Sequence, residues 1–127
     1  MRKRRHHIIP VLVMLLTLCA CGAERDMKKG EKFLAVGEYY DAAEAFKTAY
    51  NKTPAKEKAL RGQRALKMAS CYEKINATQK AIAAYRNVIR YKQDDIDTHL
   101  SFARQLLKNA NYKEAATEFQ QVLDSLP

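Results

Sequence analysis

Apolar and polar positions along this chain fall into two regimes. From Ile8 to Leu18 the residues are apolar, broken only by Pro10 and Thr17; the cations Arg2, Lys3, Arg4 and Arg5 precede the run and the small Ala20 follows it. Beyond Glu24, apolar residues recur three and four apart among charges, the spacing of helices with one buried face. Within this second regime one phrase returns: YYDAAEAFKTA at 39 to 49, TQKAIAAYRNV at 78 to 88 and YKEAATEFQQV at 112 to 122. The three superpose without gaps, matching Ala42 with Ala81 and Ala115, Phe46 with Tyr85 and Phe119, and Ala49 with Val88 and Val122, at steps of 39 and then 34 residues. A period of this length predicts stacked helical hairpins, because one hairpin cannot bury its apolar face alone. The five-residue excess of the first step falls near Pro54 to Lys58, between units.

The first regime has the order basic, apolar, small, which is that of a secretory signal. Its apolar run falls short of the about 20 residues a transmembrane helix needs, and the cations hold its flank on the cytoplasmic side. Leu18-Cys19-Ala20-Cys21 resembles the lipobox of bacterial lipoproteins. The resemblance implies diacylglycerol on the Cys21 sulfur, the only non-protein group expected, and signal cleavage between Ala20 and Cys21. Cys19 departs from the Ala, Ser or Thr more usual there and would leave with the signal. The alternative is an ordinary signal cut elsewhere, with Cys21 a free thiol. Several acyl chains on Cys21 would hold firmly where one gives only marginal membrane residence. Gly22-Ala23-Glu24 lacks an Asp after the Cys, which by resemblance to the enterobacterial sorting rule favours an outer-membrane anchor facing the periplasm. The expected division is a signal at 1–20, a lipidated N-terminus and short tether at 21–25, and a repeat domain at 26–127.

The repeat domain resembles the tetratricopeptide (TPR) family. In the first unit Gly30 and Phe33 stand at the helix A positions, Gly37 and Tyr39 at the turn, Ala42, Phe46 and Ala49 along helix B, and Pro54 at its end. The second unit has Ala69 and Tyr72 for the glycine and aromatic of helix A; the third keeps Ala103, Leu106, Tyr112, Ala115, Phe119 and Pro127. Asp26, Ala65 and His99 fall where the family usually has Trp. The implied fold is an all-α helix-turn-helix superhelix of about three units, near 23–56, 62–95 and 96–127. Small residues at the A/B crossing let two backbones approach, and the aromatic of helix B fills the wedge between hairpins. Gly37 suits a left-handed turn, with Asn76 and Asn109 the next candidates. Glu24 and Asp26, then Asp94, Asp95 and Asp97, are expected to precede or open A helices, where carboxylates favour the dipole.

Charge and chemistry narrow the picture further. The whole chain carries a formal +9, but beyond residue 20 there remain 19 Lys and Arg against 14 Asp and Glu, a net +5. Ten cations and two acids lie between Lys56 and Lys92, a positive middle open to an anionic surface or an acidic protein face, or simply solvated. The export signal argues against nucleic acid. Cys71 sits among apolar residues at helical spacing, as a small buried hydrophobe does. Beyond the signal there is one histidine, His99, and no nucleophile elbow, phosphate-binding glycine loop or Cys/His cluster, so neither enzymatic activity nor a metal is expected.

TPR arrays take peptide segments in a concave groove lined by helix A. The resemblance places that groove at Glu24, Met27, Glu31 and Leu34, at Gln63, Leu66, Ser70 and Glu73, and at Asp97, Leu100, Arg104 and Leu107. Met27, Glu31 and Leu66 stand where a carboxylate clamp would need Lys or Asn, so a hydrophobic protein segment is the expected ligand. Taken with the lipobox, phrases such as KKGEKFLAVGEYYDAAEAFKTA resemble the N-terminal region of the PorE-like outer-membrane lipoproteins of Bacteroidota. In that family a PD40 propeller and an OmpA-like peptidoglycan-binding domain follow the TPR domain. The resemblance implies a non-catalytic scaffold for protein partners in type IX secretion, anchored in the membrane by lipid and touching peptidoglycan only through domains beyond Pro127. Phe119, Val122 and Leu123, uncovered at the last B helix, fit a chain that continues. The alternative is a periplasmic assembly factor or holdase for outer-membrane clients.

Overall fold

The computed structural model describes residues 5–127. Arg2, Lys3 and Arg4 of the basic segment lie outside the described residues, as do the side chains of Arg5, His6, His7, Leu16 and Cys19. The helices are α1 (Arg5–Ala35), α2 (Tyr39–Lys52), α3 (Lys58–Lys74), α4 (Thr78–Arg90), α5 (Ile96–Lys108) and α6 (Tyr112–Asp124). Each packs on the next in chain order, giving three hairpins, α1/α2, α3/α4 and α5/α6, stacked as a TPR-like all-α superhelix. The A helices are α1, α3 and α5.

The small and aromatic positions of the repeat build the core. Ala42, Phe46, Ala49 and Ala81 are wholly inaccessible, and Tyr85 and Ala115 nearly so; Phe119, in the last helix, is only half-buried. Gly30 lies against Phe46 so closely that an added Cβ would sit 2.5 Å from the ring. The backbones of α1 and α2 thus meet where only glycine fits. Tyr85 stacks obliquely on Phe102 at 6.2 Å and joins the second hairpin to the third. Its hydroxyl donates to Glu73 at 2.6 Å, as the Tyr72 hydroxyl does to Glu44 at 3.0 Å. Burial, reinforced by these bonds that favour the protonated phenol, pushes both tyrosines above their ordinary range.

Four helix ends repeat one closure. At Gly37, Asn76, Lys92 and Ala110 the backbone turns left-handed, with φ of 79°, 56°, 52° and 60°. In each case two N–H groups reach back to the last turn, as from Gly37 to Leu34 and from Glu38 to Phe33. This is the Schellman arrangement, which satisfies carbonyls a helix otherwise leaves open. Ala110, not Asn109, takes the left-handed position in the third hairpin. Asn109 is still the cap residue at φ −90°, and the left-handed residue comes one position later.

Three other expectations need correction. Helix α1 does not start near Glu24: it is continuous from the apolar run through residues 21–25, the expected tether, and Ala23 is buried at 1% exposure. Glu24 and Asp26 therefore sit mid-helix, and their partners are cations of neighbouring helices. Asp95 does cap α5, accepting from the Thr98 N–H at 2.8 Å, a bond that holds its carboxyl below the usual range. Asp94 turns instead to His99. Finally, α3 has 17 residues against 13 in α5, so the insertion in the first repeat step becomes an extra first turn of α3 rather than loop alone.

Candidate functional site: the groove along the A helices

Three adjoining clefts follow α1, α3 and α5. The largest, about 550 Å³, lies between α1 and α3 and brings Met27, Glu31 and Gln63 together with the aliphatic Leu60. The next, about 290 Å³, is lined by Leu34, Leu66 and Ser70, with Tyr39 at the α2 end. A third, about 200 Å³, shares Leu66 and Ser70 and reaches Asp97 and Ser101 of α5. Eight of the twelve residues expected in the groove thus line adjoining clefts, Glu24 among them. The floor is apolar because Met27, Leu34 and Leu66 are half-buried against the core.

The other four do not join them. Glu73 is engaged as acceptor for Tyr85. Leu100, between Asp97 and Ser101, and Arg104 and Leu107, further along α5, line none of the three clefts. A cleft needs two facing A helices, and among the described residues α5 has such a neighbour, α3, on one side.

The walls carry cations that the residue pattern did not assign to the groove: Lys28 and Lys32 from α1, Arg64, Lys67 and Lys74 from α3. Their spacing of three, four and seven residues places them on shared faces. Lys67 crosses the cleft to Glu31 at 2.6 Å. Arg64 is different, because its side chain is only 3% exposed. Its guanidinium donates to Thr53, at the end of α2, and to Glu24 of α1 at 2.5 Å, while its Nε finds no protein acceptor. A buried cation is tolerated only when paired, so Arg64 fixes how three helices meet at the groove floor.

Other cations of the positive middle also act within the fold. Arg61 stacks over Tyr50 at 4.5 Å, Lys80 lies over Tyr72 at 5.4 Å, and Arg86 pairs with Glu114 at 2.6 Å. Cys71 is buried at 1% exposure, and burial raises its thiol above the ordinary value, so little thiolate is available. Both ring nitrogens of His99 are held by carboxylates, Nδ1 by Glu118 at 2.6 Å and Nε2 by Asp94 at 2.7 Å. Burial opposes the imidazolium, but the two carboxylates outweigh it and raise the His99 pKa. This arrangement leaves no nitrogen open to activate a nucleophile; it clasps α6 to the start of α5.

At the other end of α1, Cys21 is exposed while Gly22 and Ala23 beside it are packed. Ile8–Ala35 contains a window of mean hydropathy 1.8, long and apolar enough by composition to cross a membrane, as a signal sequence near an N-terminus also is. The window is longer than the run ending at Leu18 because Cys19 to Ala23 are themselves small or apolar. Before the packed Gly22 and Ala23, every described side chain from Ile8 to Cys21, a stretch of 14 residues, is exposed. At 1.5 Å per residue that is about 21 Å, short of the roughly 30 Å hydrocarbon layer.

No protein-family model matches the chain. It is similar to DnaJ homolog subfamily C member 3 of Rattus norvegicus, at 28% identity over 134 aligned residues. The match covers 99% of this chain and 26% of that protein, so the chain spans about a quarter of its relative's length. Fold and relative together describe a helical repeat protein suited to protein–protein interaction.

Proposed function

We propose that this chain is a non-catalytic scaffold held at the outer membrane by lipid on Cys21 and facing the periplasm, where its A-helix groove docks an apolar segment of a protein partner. The observation that carries the docking reading is the continuous cleft whose floor is Met27, Leu34 and Leu66 and whose walls are charged. An apolar floor supplies affinity, and charged walls select orientation and partner. The anchor reading is supported by the lipobox residues and by the exposure of Cys21 at the edge of the packed body. The resemblance to PorE-like lipoproteins makes a type IX secretion complex the setting, with protein partners and no cofactor besides the lipid.

Met27→Glu/Leu66→Glu places two carboxylates on the cleft floor at half-buried positions. It should abolish a stoichiometric envelope complex seen by native co-purification while changing the melting temperature little. Retention of the complex by this variant would count against the groove. The anchor is tested by the mass of the N-terminal peptide from isolated outer membranes. An acylated Cys21 is expected; an unmodified thiol would contradict it.

The second reading, an assembly factor or holdase for envelope clients, is favoured by the relative being a DnaJ homolog by name. Suppression of aggregation of an unfolded outer-membrane protein, lost in the same groove variant, would put this reading first.

A further inference from the structure

The charges of α1 differ in their partners. Each of its acids is taken by a cation of α2 or α3, Asp26 by Lys52 at 2.6 Å, Glu24 by Arg64 at 2.5 Å and Glu31 by Lys67 at 2.6 Å, although the Glu24 side chain itself stays 62% exposed. Its cations Arg25, Lys28, Lys29 and Lys32 are all exposed, and none has a carboxylate within 4.0 Å among the described residues. Elsewhere exposed cations such as Lys80 and Arg86 do face an acid, Glu44 and Glu114. Exposed cations without a carboxylate partner occur elsewhere too, at Lys56, Lys58, Lys74, Arg90 and Lys92 among others; what marks the α1 set is its alignment with Cys21 along one helix face.

The spacing gives the set a direction. At 3.6 residues per turn, Arg25, Lys28 and Lys32 lie within about 40° of Cys21 around the helix axis. Gly30, Ala23 and Leu34, which pack inward, lie on the opposite side. Cys21, Arg25 and Lys28 line one shallow recess together with Ala20 and Glu24, whose carboxylate is taken by Arg64. Along the axis the three cations stand about 6, 10 and 16 Å from Cys21.

We infer that the outer face of α1, from Cys21 through Arg25 and Lys28 to Lys32, is a membrane-contact surface that takes anionic phospholipid headgroups and lays α1 along the bilayer. The placement rests on the anchor reading of Cys21. A lipid on that residue draws the same face toward the membrane, and cations on it come within the about 8–10 Å over which surface potential acts. Upright, α1 would keep only Arg25 and Lys28 in that zone; lying flat, it uses all three. Lys28 and Lys32 also line the α1 wall of the first cleft, so the membrane face and the groove share an edge.

The test uses the full chain with vesicles of phosphatidylcholine alone and with one third phosphatidylglycerol, measuring the ratio of the two partition coefficients by lipid titration at low salt. The cations ahead of Ile8 are common to all variants and cancel in the comparison. A basic residue near an anionic surface contributes about 1 kcal/mol, or about fivefold. Arg25→Gln/Lys28→Gln/Lys32→Gln should therefore lower the ratio on the order of a hundredfold, and added salt should erase the difference. The control Lys56→Gln/Lys58→Gln/Arg90→Gln removes as many cations from other surfaces and should leave the ratio within a few fold. Equal ratios for wild type and the α1 variant, or an equal loss in the control, overturn the proposal and leave the stripe to an acidic protein face. Failure of the anchor reading shows separately, as an unmodified Cys21 in the membrane-derived protein.

Discussion

Gly30→Ala is the sharpest perturbation of this fold, because it adds one carbon at the closest crossing of helices. An ideal Cβ at position 30 would lie 2.5, 2.6 and 3.0 Å from three ring atoms of Phe46. Ordinary carbon contacts begin near 3.5 Å, so the overlap is about 1 Å. Phe46 is wholly inaccessible and packed among Ala42 and Ala43, so the ring has nowhere to swing. Overpacking of this kind costs about 1–3 kcal/mol, and the overlap on a fixed ring puts it at the upper end. Against it stands the helix preference of Ala over Gly, about 1 kcal/mol. The net is a loss of about 2 kcal/mol, a fall of roughly 8–16 °C in melting temperature for a domain of this size. Thermal and urea unfolding followed by circular dichroism would measure it. Phe46→Leu alone should also destabilise by leaving space, but the double variant should be more stable than the sum of singles predicts, by about 0.5–3 kcal/mol. A Gly30→Ala protein as stable as the parent, or an additive double variant, would refute the close α1/α2 crossing.

Asp95→Ala should cost about 1 kcal/mol by removing the cap of α5; because the folded carboxyl is lowered from 3.8, this contribution is present above that pH and vanishes as acid titrates the folded group. His99 has the opposite sign: raised above 6.5 in the folded chain, it stabilises fully below that pH and less as pH rises through its folded value. Urea midpoints across this range should show the decline, and His99→Gln should flatten it. Ala110→Gly should raise stability by about 1 kcal/mol, relieving a left-handed alanine, and a lowered melting temperature would count against that turn geometry. Gln105 is wholly buried with neither amide atom bonded. Gln105→Met should add about 1–3 kcal/mol, measured by urea unfolding.

Much of the fold was legible because repetition makes a weak pattern strong. The alignment of Ala42, Ala81 and Ala115 located every B helix, and those residues are inaccessible or nearly so. Turn chemistry was legible where the residue type announces it, at Gly37 and Asn76. It was not at Lys92 and Ala110, since the backbone bonds of the closure hold residues with no preference of their own. The groove followed the helical period as far as two A helices face each other, through Met27, Leu34 and Leu66. At Glu73 the carboxylate is instead taken by a tyrosine of the next helix, a partner the helical period does not reveal. Most hidden was the role of individual charges. Arg64 and Lys28 look alike in a string, yet one is buried in a network between three helices and the other is exposed. Only the packing of α1 on α2 and α3 separates them.

The docking claim is tested most directly in intact cells by a photoreactive residue placed at Leu66, in the groove, and in parallel at Ala83, exposed on α4 away from it. The account predicts one discrete adduct from position 66 and none of that mass from position 83. The same adduct from both positions, or no adduct from position 66 in membranes that hold the protein, would contradict it.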